Sequence, residues 1–497
     1  MSDTNDRELP AEGVPPFDGT RDADVGPERS GVAGIAISWL VVLAVGALIL
    51  LLANAAEPPS TSGPDVLLEL EAKSVIGISM LPGSTPAMVR DQLAVRRDRG
   101  SVPQRVATMI LFTEVGDLES ARQELESLDA AIEDHHARGK ALEPDEARLW
   151  KAARDLYSEG VPAEKVRSLP EEDREVLRET LGWVGSLALA PDGAETPTDG
   201  PSRTELRLDA ARVMGIFGTA ASLLTILGLC GFFALAALSI AGSAGLTRRH
   251  FAPARLRTGR SIQTFALWIV FFFALQFLAG LMVEILGLTR GLSSLVAFFL
   301  SLLALLWPIF RGDESNAIRS DFGLHAGGGV LRELVVAGWG YCMMLPFLGA
   351  GMLGTIALSA LVGSSESTGL QPVETPSHPI ISELANTTPL DKWLLVAVAV
   401  IGAPVVEEIF FRGVLYRHFR QLSRPLGLLV SIVGSALATS FVFAVIHPQG
   451  LVAVPALMGI ALGLTLLREW RDTLLPSMVV HGLWNGTLMA VLLGISG

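Results

Sequence analysis

Cysteine is nearly absent: the 497-residue chain has two, Cys230 and Cys342. Both fall in apolar stretches with no metal-ligand spacing, so they read as core residues and give no disulfide framework. Charge is scarce too, at 18% against 50% hydrophobic residues, and from residue 210 onward the chain is too apolar for a soluble α/β enzyme. The net charge is −13, with the acids gathered outside the apolar runs, which excludes a nucleic-acid partner. The residues before the first apolar run lack the basic region of a signal peptide, so that run is expected to stay as an anchor. The last absence is chemical. No serine, cysteine or threonine in the C-terminal region stands beside a base at motif-like spacing, and a covalent route has no evident nucleophile.

What the chain does have is long hydrophobic runs. Stretches of the length needed to cross a bilayer core lie near 33–54, 213–242, 262–287, 292–310, 332–362, 393–413, 427–446, 451–467 and 474–495. They predict an all-α, polytopic transmembrane bundle of about nine helices, with Pro346 kinking, tilting or dividing the long run 332–362. The organisation expected is a disordered acidic tail at 1–31, an anchor helix at 32–55 and a helical soluble domain at 56–209, inserted between the first and second spans. Transmembrane helices and a basic loop follow at 210–329, and the C-terminal membrane core at 330–497. Within 56–209, apolar positions recur at helical spacing through 105–125, with further helices expected at 143–158, 162–168 and 171–187. No clean repeat is visible, so an irregular helical domain is favoured over a tetratricopeptide-like array. Residues 188–204 have linker composition.

Arginines set the expected topology. The loop with Arg248, Arg249, Arg255, Arg257 and Arg260 is cytoplasmic by the positive-inside rule. Arg311, Arg319, Arg412, Arg417, Arg420, Arg424, Arg468 and Arg471 then also fall inside. This makes a multi-pass protein of the cell membrane with 56–209 extracytoplasmic. In the penultimate span, Gly459 and Gly463 form a G-x-x-x-G, expected to be a packing seam. Asn386-Thr387-Thr388 matches a glycosylation sequon, a pattern that arises often by chance.

The chemistry concentrates near Glu407 and Glu408, at the end of the sixth run. Two carboxylates enter hydrocarbon only at a cost of at least a few kcal/mol, so they mark a pathway, a relay or a catalytic centre more often than a pair of interfacial acids. Residues four apart share a helical face, and Glu408 can pair with Arg412 in the favourable acid-first order. Glu407 diverges by about 100° and is left to face the bundle as a general base. Two histidines lie in the C-terminal apolar runs: His447, with Phe443 one turn before it, and His481, with Asn485 on its face. A carboxylate and an imidazole polarise a water, and a second imidazole with an amide can donate to an oxyanion. A zinc set of His447, His481 and Glu407 is the alternative, weakened by the lack of His-Glu-x-x-His spacing.

Glu407-Glu408-x-x-x-Arg412, Phe443-x-x-x-His447 and His481-x-x-x-Asn485 together resemble the three motifs of the CPBP family, the intramembrane glutamic endopeptidases that include the CAAX prenyl proteases and bacteriocin-processing or self-immunity proteins. The resemblance covers about 330–497. It implies a metal-independent protease without cofactor, in which Glu407 and His447 activate water, His481 and Asn485 form the oxyanion hole, and Glu408, Arg412 and Phe443 support the site. Its substrate would be a peptide or membrane protein approaching from the surrounding lipid. The resemblance says nothing about 1–210; the 56–209 domain is read separately, as a helical surface for recruiting a protein partner. The rivals are a non-catalytic immunity or scaffold protein binding through the same cavity, and a proton-coupled transporter, the latter weakened by the lack of an internal repeat.

One expectation conflicts with the rest. With Arg412 at the inner surface, Glu407 and His481 lie in the inner third of their spans, whereas a straight crossing at 427–446 carries His447 to the outer end. A segment that re-enters or lies along the interface near 422–435, or a topology off by one crossing, would bring them together.

Overall fold

The computed structural model describes residues 32–55, 66–94, 98, 100–157, 168–190, 200–245, 251, 254–256, 258–362, 370, 384 and 387–496. Their regular structure is entirely helical. The tail 1–31, residues 162–167 of the helix expected at 162–168, most of the linker, Arg248, Arg249, Arg257 and Asn386 lie outside the described residues. Among the described residues, nine helices are long and apolar enough to cross a membrane: Val32–Ile49, Arg203–Ser243, Gly259–Leu286, Arg290–Phe310, Val330–Leu361, Pro389–Leu422, Leu428–Val445, Leu451–Arg471 and Leu475–Ile495. The chain is a multi-pass membrane protein. Pro346 does not divide its span, which is one helix over Val330–Val362.

Between the first two spans, the helices Val66–Ser79, Pro86–Ala94, Val102–Glu114, Leu118–Ala137, Pro144–Tyr157, Glu171–Leu181 and Trp183–Leu189 share one apolar core. Val106, Ile110, Leu128, Leu149 and Leu177 meet in it. The amphipathic stretch 105–125 is two helices. Gly116 turns the chain at φ +83°, a conformation that suits glycine, and Asp117 caps the second helix by accepting from the Ser120 amide. Gly182, at φ +55°, divides 171–187 in the same way. Arg105 and Glu124 form a buried ion pair at 2.7 Å. Leu206 and Ala210 belong to this core and also to the helix Arg203–Ser243, so one helix is continuous from the helical body into the membrane.

In the C-terminal half, the spans Val330–Val362 and Val454–Arg471 meet along a glycine seam. A Cβ on Gly459 would stand 2.3 Å from the Phe347 carbonyl oxygen, and one on Gly463 3.1 Å from Met344 Cα. The G-x-x-x-G is therefore filled from within the chain.

Several arginines expected as loop charges are paired, and all but the partly buried Arg420 are buried. Arg417 bonds Asp321 at 2.9 Å, Arg468 bonds Asp472 at 2.8 Å, Arg471 bonds Glu333 at 2.6 Å and Arg420 bonds Glu469 at 3.0 Å. The Phe251 ring lies against the guanidinium groups of Arg417, Arg420 and Arg468, at 4.7, 5.5 and 5.0 Å. These charges tie together the connections at one end of the bundle, and they argue for orientation less strongly than solvated loop charges would.

Candidate active site

The helix Pro389–Leu422 is not uniform. π-Helical turns at Val398–Gly402 and Glu408–Leu415 bracket the short α-helical stretch Ala403–Glu407. Such widened turns recur at functional sites. The first has a readable cause: in the widened register the Ala403 amide donates to Val398, so the next donor, to the Ala399 carbonyl, would come from residue 404. Residue 404 is proline and has no N–H. The orphaned carbonyl is taken instead by Asn485, whose Nδ2 donates to it at 2.7 Å. The last span comes close at this point because Gly482 faces the widened turn, where a Cβ would lie 2.7 Å from the Val400 carbonyl oxygen.

These contacts bring His481 and Asn485 against the glutamate pair. Glu408 and Arg412 are sealed from solvent and bonded at 2.8 Å across one turn, as their spacing predicts. Glu408 has a second role that the spacing does not announce: His481 Nδ1 lies 2.9 Å from the same Oε1. Glu407 points elsewhere and keeps 15% of its side chain exposed, beside His447 at 17%. His447 Nε2 and His481 Nε2 each stand 3.9 Å from one oxygen of Glu407, Oε2. That is beyond direct hydrogen-bond length, and across such a gap a water can bond both groups.

The ring orientations are set from behind. His447 Nδ1 lies 2.6 Å from the Phe443 carbonyl oxygen, which can only accept, so Nδ1 carries a proton and in the neutral ring Nε2 presents its lone pair toward Glu407. The Phe443 ring packs on His447 at 4.2 Å between centroids, and its face receives the Arg412 guanidinium at 4.5 Å. Arg412 also donates to the Ala461 carbonyl at 3.3 Å. Glu407, Glu408, Arg412, Phe443, His447, His481 and Asn485 therefore meet in one place.

The depth conflict comes from treating Arg412 as an interfacial residue. Arg412 is fully buried as the partner of Glu408, and the helix continues beyond it to Leu422. After the turn at 423–427, Leu428–Val445 runs as a single helix and delivers His447, just past its end, to Glu407. No re-entrant segment is needed.

The motifs themselves do not reveal the Ala399 carbonyl or the two widened turns. Pro404 is the sequence signal for the first: a proline inside an apolar helix implies an unclaimed carbonyl upstream. Among the described residues, no three or more His, Cys, Asp or Glu side chains are grouped to hold a metal ion.

Residues 389–487 match the family model described as Type II CAAX prenyl endopeptidase Rce1-like. The match contains all seven site residues and supports assignment to the CPBP/CAAX protease family. No curated protein matches the chain, nor does any solved structure.

Proposed function

We propose that this chain is an intramembrane endopeptidase that hydrolyses a peptide bond with a water activated by Glu407, without a metal ion. The observation that carries this reading is the single carboxylate oxygen standing 3.9 Å from the Nε2 atoms of both His447 and His481. A water between Glu407 and His447 gives up a proton to this pair as its oxygen attacks the scissile carbonyl. His481, with its Nδ1–H held by Glu408, donates from Nε2 in its imidazolium form to the developing oxyanion. Asn485 uses one amide hydrogen on Ala399 and has a second for the same oxyanion. As the tetrahedral intermediate collapses, the proton held by Glu407 and His447 passes to the leaving amine. Arg412 compensates the charge of Glu408, and Phe443 holds His447 in place.

The family description favours a peptide or membrane-protein substrate of the CAAX type, reached from the membrane. We assign the helical body 66–210 to the extracytoplasmic side, as a surface for recruiting a protein partner. Arg212, where this body joins its span, lies 3.4 Å from the Gly494 carbonyl oxygen at the far end of the last span. His481 and Gly494 are separated along that helix by about 20 Å.

The test uses the purified full-length chain in liposomes with a farnesylated CAAX peptide and its unprenylated counterpart. Cleavage by the wild type, unaffected by EDTA or phenanthroline and lost in Glu407→Gln, His447→Ala and His481→Ala, is expected. Full cleavage by Glu407→Gln, or cleavage abolished by chelators and restored by zinc, overturns the mechanism.

A further inference from the structure

The helix Val66–Ser79 lies against the start of the span Arg203–Ser243, and two contacts fix its direction. Lys73 Nζ bonds Asp209 at 2.8 Å. One turn further on, a Cβ on Gly77 would stand 2.6 Å from Met214 Cβ and 2.8 Å from the Ala210 carbonyl oxygen. Positions 73 and 77 thus match 209 and 210–214, so the two helices run the same way. The longer one is heading into the membrane: Arg212 is its last charged residue, and none follows from Val213 to Ser243. The shorter helix therefore ends with its tip pointing at the bilayer, level with the residues after Met214.

That tip is apolar and exposed. Met80 is 43% exposed, Leu81 49% and Met88 60%, a grouping that contrasts with the filled core a few residues away at Val75, Ile76 and Val89. The backbone of the turn is largely self-satisfied. The Met80 amide donates to Gly77 at 3.2 Å, Leu81 to Ile78 at 3.0 Å and Ser84 to Leu81 at 3.0 Å, while Ser84 Oγ closes on the Ser79 carbonyl at 2.7 Å. Irregular backbone is not stable when exposed to lipid hydrocarbon, which limits such a turn to the headgroup layer. There its apolar side chains reach the acyl boundary, in the manner of interfacial anchors.

We infer that the turn from Met80 to Met88 is a lipid-contacting tip, seated in the headgroup layer of the leaflet that the Arg203–Ser243 helix enters. The body 66–210 then has two fixed attachments to the membrane, the continuous helix and this tip. It stands in one orientation on the bilayer and does not pivot about residue 212. The occupant of the apolar patch is phospholipid, because the contact of Gly77 with Ala210 and Met214 puts the patch level with the point where the neighbouring helix becomes an apolar span.

The test reads position, not catalysis, so it is independent of the proposed protease activity. In full-length protein carrying Cys230→Ala and Cys342→Ala, a single environment-sensitive fluorophore is attached through Leu81→Cys, Met88→Cys or Thr204→Cys. The protein is reconstituted in phosphatidylcholine and phosphatidylglycerol vesicles containing lipid with a nitroxide near the headgroup. Thr204 is the control, exposed on the same helix and about 15 Å farther out than Met214. At least twofold stronger quenching at positions 81 and 88 than at 204 is expected. Equal quenching at all three positions, or labels at 81 and 88 that are shielded from water yet not quenched by the lipid nitroxide, overturns the inference, the latter because protein would cover the patch. Should Leu81→Cys fail to fold, Met88→Cys gives the same reading from the other side of the turn.

Discussion

Replacing Glu408 with glutamine separates two roles that its position combines. Its Oε1 accepts from Arg412 at 2.8 Å and lies 2.9 Å from His481 Nδ1, and both Glu408 and Arg412 are fully buried. Glutamine keeps the shape and an accepting oxygen but removes the charge. A hydrogen bond involving a charged group contributes about 1.5–3 kcal/mol, and stripping one partner from a buried ion pair costs about 3–5 kcal/mol. Glu408→Gln is therefore expected to lower the thermal midpoint of the purified protein strongly. It should also lower kcat by about 10²- to 10⁴-fold, the upper figure being the loss known when an acid orienting a catalytic histidine becomes an amide. KM should change little. The decisive variant is Glu408→Gln with Arg412→Met, which removes the stranded charge. If Glu408 orients His481, the double variant regains much of the stability and none of the activity, measured as peptide cleavage in liposomes beside unfolding in detergent. Recovery of kcat together with stability would show that Glu408 serves only as the counter-ion of Arg412, and the positional argument would fail.

Asn485→Ala leaves the Ala399 carbonyl without its donor, at a cost of about 1–3 kcal/mol. Pro404→Ala in the same chain supplies a backbone N–H and should restore the unfolding midpoint without restoring cleavage. Gly482→Ala sets a Cβ 2.7 Å from the Val400 carbonyl oxygen. Overpacking of about 1–3 kcal/mol should push the last span outward, with cleavage falling more than the melting midpoint; unchanged kcat would show that the close approach is dispensable. In the helical body, Arg105→Met strands the buried Glu124 carboxylate and is expected to cost about 3–5 kcal/mol. Hydrogen exchange should quicken across 66–210 and stay unchanged at Glu407. Exchange that quickens equally throughout the chain would mean that body and bundle unfold as one unit.

Much of this was legible because the strongest signals are local. Apolar runs of membrane length are visible without a partner, and among the described residues nine such helices stand where the runs lie. The pairing of Glu408 with Arg412 follows from a four-residue step on one helix, and Phe443 and His447 stand the same step apart where their helix ends at Val445. What the sequence hid depends on register or on distant chain. Arg412 looks like a residue at the membrane surface until the sealed pocket around Glu408 is seen, and that misreading alone put His447 at the wrong depth. The link from His481 to Glu408 joins residues far apart in the sequence, and no spacing rule reports it. Gly116 and Gly182 break helices that periodicity alone runs together, although their positive φ values belong to a class of turn that glycine commonly signals.

The first widened turn explains how adjacent carboxylates acquire different environments. On a uniform helix Glu407 and Glu408 would still diverge by about 100°, but an uninterrupted backbone ladder would leave the last span no carbonyl to grip. Pro404 removes one donor, the helix widens at Val398–Gly402, and Asn485 claims the freed carbonyl. That bond, with the close approach at Gly482, fixes the height of the last span relative to the glutamates. His481 lies one helical turn before Asn485 and so arrives beside Glu408, with its other nitrogen turned toward Glu407. The residue that looks like a flaw in the helix thus sets the register of two site residues on another helix. On this account, shifting the proline by one position disturbs the site more than deleting it, because the orphaned carbonyl would move to a place Asn485 cannot reach. Comparing Pro404→Ala with Val405→Pro in the Pro404→Ala background, by unfolding midpoint and by cleavage, tests that ordering. Equal losses in the two variants would refute it.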